Sequence, residues 1–118
     1  QYEHGVADPA LIAPETYTLD HALLQRPGND EVQLQLFHDY QHNLTLYPKF
    51  QEFMRQEQLP TLVIWGKNDP FFIPPGAQAY RRDNPNAQVE LLDTGHFAHE
   101  THAGHIMRRI REFFLADG

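Results

Sequence analysis

The stretch Thr61-Leu62-Val63-Ile64-Trp65 constrains the fold more than any other segment of the chain. It is a continuous β-favouring apolar run, bounded by Pro60 and Gly66, as expected of a strand covered on both faces in a parallel sheet. A second strand is predicted at Gln88-Val89-Glu90-Leu91-Leu92. Between them lie a polar, proline-containing loop from Gly66 to Pro75 and a short helical stretch around Ala77, Tyr80 and Arg81 that Asn84-Pro85 ends. After Thr94-Gly95, residues Ala103, Ile106, Met107, Ile110, Phe113 and Phe114 trace one face of a closing helix. Strand, helix, strand, helix is the pattern of parallel α/β architecture with right-handed crossovers. Two parallel strands make no viable sheet alone, because each needs neighbours in the hydrogen-bonding direction and helices on both faces. The expectation is therefore the C-terminal portion of a larger α/β domain, with an apolar sheet edge at strand 61–65 and a tendency to associate if isolated. A self-contained small domain is the alternative.

The first half follows a different grammar. Residues 1–58 are polar and rich in Gln, His and Asp, with apolar residues at helical spacing. Leu34, Phe37, Tyr40 and Leu44 form one stripe, and Asp30 and Glu31 sit where a helix N-terminus favours negative charge. This predicts a helix from about Asn29 to Leu46. Before it, Thr18 can cap a short helix carrying Leu19, Ala22, Leu23 and Leu24, stopped by Pro27-Gly28. Pro48 suits the first turn of a third helix with Phe50, Phe53 and Met54 on its apolar side. Residues 1–15 read as an extended entry segment.

Composition excludes several chemistries. The chain has neither cysteine nor serine, and only six threonines. Disulfides, thiolate metal sites and a serine or cysteine nucleophile are therefore excluded within these residues. The formal charge is −7 with the eight histidines neutral, and protonating all of them would bring it to +1. An acidic chain is a poor electrostatic match for nucleic acid or anionic lipid. The small groups Arg81-Arg82 and Arg108-Arg109-Arg111 read as solvated helix faces. No apolar run approaches a membrane span, and Gln1 opens a polar stretch rather than a leader, so the expectation is a cytoplasmic protein with a small-molecule substrate and neither nucleic-acid nor membrane partner. Oligomeric state is not legible.

Two positions combine an ionisable group with a strand end, where open α/β sheets place their sites. Asp69 lies four residues beyond Trp65, and His96 four beyond Leu92. If the strands are neighbours the side chains can meet. A carboxylate that accepts a hydrogen bond from one imidazole nitrogen fixes the tautomer and stabilises the imidazolium formed when the other nitrogen takes a proton, which makes a general base. Taken singly, Asp69 also reads as a turn former and Gly95-His96 as a helix cap.

The joint pattern resembles the α/β-hydrolases, particularly the capped branch of epoxide hydrolases and haloalkane dehalogenases. Pro60 through Pro70 (Pro-Thr-Leu-Val-Ile-Trp-Gly-Lys-Asn-Asp-Pro) looks like the family's late core strand and acid loop, and Leu92-Asp93-Thr94-Gly95-His96-Phe97 like its last strand and histidine loop. The resemblance covers residues 59–115 well, and the helical first half is similar to the end of a lid. It implies residues 1–58 as a helical lid segment and 59–118 as the C-terminal part of the core. It further implies Asp69 as triad acid, His96 as base, and an upstream nucleophile, with acid preceding histidine as in the family. The reaction implied is hydrolysis of an ester, epoxide or carbon-halogen bond through a covalent ester, without a cofactor. Phe71 and Phe72, in the acid loop, are candidates for an apolar substrate-binding wall. The family's Gly-x-Ser-x-Gly elbow, or its Asp-bearing equivalent, does not occur in these residues, so the chain alone is expected to be inactive.

Other side chains have blander readings. His96, His99, His102 and His105 recur every third residue, but that period drifts around a helix and four positions cannot converge on one ion. No metal site is expected, and Glu100 reads as a first-turn acid, with a role as partner to His96 the lesser reading. Tyr17, Tyr40 and Tyr47 lie in no motif specific enough to carry a role. Two other function classes stay open: a non-catalytic α/β-hydrolase-like binding protein, decided by the residue at the missing elbow, and a histidine-rich metal-binding module.

Overall fold

The computed structural model describes residues 1–115, so the last three positions of the segment assigned to the core lie outside the described residues. The chain forms two compact units, one built from Gln1–Ile12 together with the chain from Gln58 onward, the other from Ala13–Glu57. The N-terminal twelve residues, grouped by sequence with the helical segment, belong to the first unit.

The helical unit holds α1 (Pro14–Leu24), α2 (Asn29–Asp39) and α3 (Gln41–Glu57). Helix α1 starts four residues earlier than Thr18, because Pro14 occupies its first turn, where the missing N–H costs nothing. The entry segment is not wholly extended either: Asp8 caps a 3-10 turn over Pro9–Leu11 by accepting from the Ala10 N–H at 3.0 Å. Gly28, at φ 78°, makes the turn between α1 and α2, and Asn29 Nδ2 donates back to the Leu23 and Leu24 carbonyls.

The single helix expected to Leu46 breaks instead at Tyr40, and Pro48 lies inside α3 rather than at its start. The cause is local. The Asn43 N–H turns to the Tyr40 carbonyl at 3.0 Å, and the Asp39 carbonyl and carboxylate are engaged by His42 Nδ1 at 3.0 and 2.9 Å. Side-chain competition for a backbone acceptor thus ends one helix and starts the next.

The α/β unit contains β1 (Leu62–Gly66), α4 (Pro74–Gln78), α5 (Tyr80–Asp83), β2 (Gln88–Leu92) and α6 (Ala98–Leu115). The strands pair in parallel from Leu62 opposite Gln88 to Gly66 opposite Leu92, as the sequence predicts, and β1 has no second strand partner among the described residues. Val63, Ala77, Ala87 and Leu92 supply its small apolar core, joined by Ile12 from the N-terminal segment. Buried Asn84 ties the crossover to the entry of β1, donating to the Leu59 carbonyl at 2.7 Å and to Thr61 Oγ1 at 3.1 Å while accepting from the Asn86 N–H. Glu90 on β2 accepts from Arg109 Nε at 2.8 Å and pairs with His105 Nε2 at 2.6 Å, which docks α6 against the sheet. Helix α6 carries a kink at His102, whose φ of −125° and ψ of 23° are non-helical. The α/β unit is thus two parallel strands with crossover and closing helices, and the helical segment forms a unit of its own.

Candidate active site

The strand register brings the ends of β1 and β2 side by side, and the loops that leave them continue the ladder for a few residues. Lys67 N–H donates to the Leu92 carbonyl at 2.8 Å and Asn68 N–H to the Thr94 carbonyl at 3.1 Å. The acid and histidine loops therefore stay in register beyond the sheet. Where they cross, Gly66 and Gly95 meet backbone to backbone: a Cβ on Gly66 would lie 2.0 Å from the Gly95 oxygen.

Asp69 and His96 meet at the end of this crossing, with Asp69 Oδ2 and His96 Nδ1 2.9 Å apart. The Asp69 side chain is 2% exposed and that of His96 17%. The second carboxylate oxygen, Oδ1, accepts from the N–H groups of Phe71 at 2.8 Å and Phe72 at 3.1 Å. Asp69 thus makes the turn its loop position suggests and also faces the imidazole. Burial opposes its ionisation, but the hydrogen bonds from His96 and from the Phe71 and Phe72 amides outweigh it and hold the carboxyl below its ordinary range. With Nδ1 bound to the carboxylate, the proton-accepting position of the ring is Nε2.

The sign of the consequence for acid stability is fixed. A folded-state value below the unfolded one stabilises fully above the ordinary carboxylate range, and the contribution disappears as pH falls through the lowered value. The Asp69 contribution to the stability difference between the protein and its Asp69→Asn variant should shrink as pH falls below about 4. Urea unfolding at a series of pH values measures it, and a difference that grows as pH falls below about 4 would contradict the hydrogen bonding of the Asp69 carboxylate.

Aromatic rings surround the imidazole. Phe71 meets it edge-on with centroids 5.2 Å apart, Phe72 stacks at 5.5 Å, and Phe97 lies at 4.7 Å, itself in contact with Tyr2 and His99. Trp65 Nε1 donates to the Phe72 carbonyl at 2.7 Å, which fixes the acid loop. A cavity of about 400 Å³ opens beside the pair, lined by Ile64, Trp65, Phe72, His96, His99 and Ile106 among others.

The four regularly spaced histidines go to four different partners: His96 to Asp69, His99 to Glu100, His102 to Thr101 Oγ1 and His105 to Glu90. No three metal-ligating side chains come together among the described residues. Tyr40 and Tyr47, in the helical unit, share a hydrogen bond of 2.6 Å between their hydroxyls. That bond raises the Tyr47 phenol above its usual value. No helix among the described residues is long and apolar enough to cross a membrane.

Sequence reasoning passed over Trp65, Asn68 and Thr94. Thr94 is wholly buried, with its hydroxyl 2.7 Å from that of Thr101 on α6. The available signal was adjacency: Asn68 and Thr94 lie one and two residues before the two ionisable groups.

Strand order, the two loops and the paired side chains together define a class, and sequence comparison agrees with it. The profile of the alpha/beta hydrolase fold family matches residues 12–103, and the chain belongs to that family. It is also similar to the uncharacterized hydrolase YNR064C of Saccharomyces cerevisiae, with 50% identity over 114 residues, which are 97% of this chain and 39% of the yeast protein. The chain thus spans about two fifths of the length of that relative. No solved structure matches it significantly.

Proposed function

We propose that the chain supplies the acid and the base of a nucleophile-histidine-acid triad in a hydrolase that acts through a covalent ester. The observation that carries this reading is the buried Asp69 carboxylate, held by two backbone N–H groups and facing His96 Nδ1 at 2.9 Å. The similar yeast protein, described as a hydrolase, supports the reaction class. In the intact protein an upstream serine attacks an ester carbonyl and the alcohol departs, or an upstream aspartate attacks carbon, either expelling halide or opening an epoxide to an alkoxide that stays on the substrate and takes a proton from water. Water then cleaves the covalent ester. His96 Nε2 takes a proton from a serine nucleophile or from the hydrolytic water, and the imidazolium is stabilised by Asp69 until the proton passes on. Phe71 and Phe72 form an apolar wall for the substrate. The helical unit Ala13–Glu57 serves as the lid segment: in the chain it is inserted between Ile12 and Gln58, which both belong to the α/β unit.

Assay of the intact protein with a p-nitrophenyl ester, an aryl epoxide and a bromoalkane tests the reading. Turnover of one class identifies the bond attacked. Binding without turnover of any of the three would favour a non-catalytic protein with the same pocket.

A further inference from the structure

Asn68 lies outside the Asp69–His96 hydrogen bond, yet it is the residue through which three separate segments are joined. Its amide nitrogen donates to the Gly5 carbonyl at 2.8 Å and to Asp93 Oδ1 at 3.0 Å, while its own backbone N–H donates to Thr94. One residue thus connects the N-terminal segment, the acid loop and the histidine loop. The same segments are stacked at the limit of approach. A Cβ on Gly5, whose φ is +81°, would lie 2.5 Å from the Asn68 oxygen, and one on Gly95 would lie 2.0 Å from the His4 oxygen. Asp93 is further paired with Lys67 Nζ at 3.1 Å.

The chemistry of the position calls for an amide. The two groups that Asn68 Nδ2 meets, a carbonyl and a carboxylate, are both acceptors, and an asparagine side chain offers two N–H donors from one atom. Aspartate there would set a second carboxylate against Asp93, and alanine would leave the Gly5 carbonyl to water and Asp93 to Lys67 alone. Strand pairing ends at Gly66 and Leu92, so the spacing of Asp69 and His96 depends on the contacts beyond it. A misplacement of about 1 Å between reacting groups can cost on the order of 10²-fold in rate.

We propose that Asn68 is a positioning residue that clamps residues 4–5, the acid loop and the histidine loop at one point, and so holds Asp69 and His96 in register without touching the substrate. The inference rests on the reading of Asp69 and His96 as acid and base.

The test uses the intact protein, its Asn68→Ala and Asn68→Asp variants, the double variant Asn68→Asp/Asp93→Asn, and His96→Ala as reference. Two readouts are needed: kcat and KM on whichever of the three substrates is turned over, and the downfield proton resonance of the imidazole Nδ1–H bound to Asp69. Both single variants should lose about tenfold to a hundredfold in kcat with KM little changed. Their resonance should shift or broaden while the far-ultraviolet circular dichroism stays that of the parent. The double variant exchanges donor and acceptor between positions 68 and 93, so it should recover part of kcat and of the resonance, and the remaining loss belongs to the Gly5 contact and to the Lys67–Asp93 pair. Parental kcat and an unmoved resonance in both single variants would overturn the clamp. So would a double variant no better than Asn68→Asp. If His96→Ala retains turnover, the acid-base reading fails instead, and the resonance alone decides whether Asn68 sets the geometry of the pair.

Discussion

Replacing His96 with alanine in the intact protein should lower turnover by about three to four orders of magnitude, with little change in the unfolding midpoint. The first half of that expectation follows from the position of Nε2. Asp69 occupies Nδ1, so the ring has one nitrogen left to take and return a proton, and alanine removes it. The second half follows from where the ring sits. It is stacked among Phe71, Phe72 and Phe97 at the cavity mouth rather than in the small core of Val63, Ala77, Ala87 and Leu92. Asp69→Asn should cost a similar factor for a different reason, because an amide can present a donor to Nδ1 and stabilise the wrong tautomer. It should also cost stability, since the two N–H groups of Phe71 and Phe72 lose a charged acceptor. Steady-state rates and urea unfolding of both variants separate the two effects. Retention of more than about a tenth of the parental rate by His96→Ala would remove His96 from the chemistry.

The α/β half was legible because its signals are local and strong. Five β-favouring residues between Pro60 and Gly66 can do little else, and a parallel partner at Gln88–Leu92 follows from the strand, helix, strand order. The Asp69–His96 meeting was legible from short loops of similar length after neighbouring strands, Asp69 lying three residues beyond Gly66 and His96 four beyond Leu92. The helical half was less so. Its apolar periodicity runs through Tyr40 without interruption, and the break comes from hydrogen bonds of His42 and Asn43 that periodicity does not encode. Pro48 suggested a helix start on backbone grounds, yet it lies inside α3, where it forfeits one hydrogen bond and crowds the carbonyl four residues before it, a cost that the rest of the helix offsets. Asn68 and Thr94 escaped notice because their partners, Gly5 and Thr101, are set by tertiary crossing rather than by sequence spacing.

Gly66→Ala should destabilise the protein by about 3 kcal/mol or more, a larger effect than most single methyl additions produce. The added carbon would lie 2.0 Å from the Gly95 oxygen and 2.7 Å from the Thr94 oxygen. Both are backbone atoms, so no rotamer change can make room, and the histidine loop must move away from the acid loop. That movement opposes the Asn68 N–H bond to Thr94, the last rung before Asp69. It also draws His96 away from its carboxylate, so activity should fall further than the unfolded fraction accounts for. Gly76→Ala is the matched control, because a Cβ there meets nothing within 4 Å and the residue lies inside α4. Alanine at that position should be neutral or stabilising by up to about 1 kcal/mol, through the smaller conformational freedom of the unfolded chain. Urea unfolding of the two variants beside the parent decides the matter. A Gly66→Ala variant within about 0.5 kcal/mol of the parent would mean that the two loops do not cross as closely as the glycine pair requires.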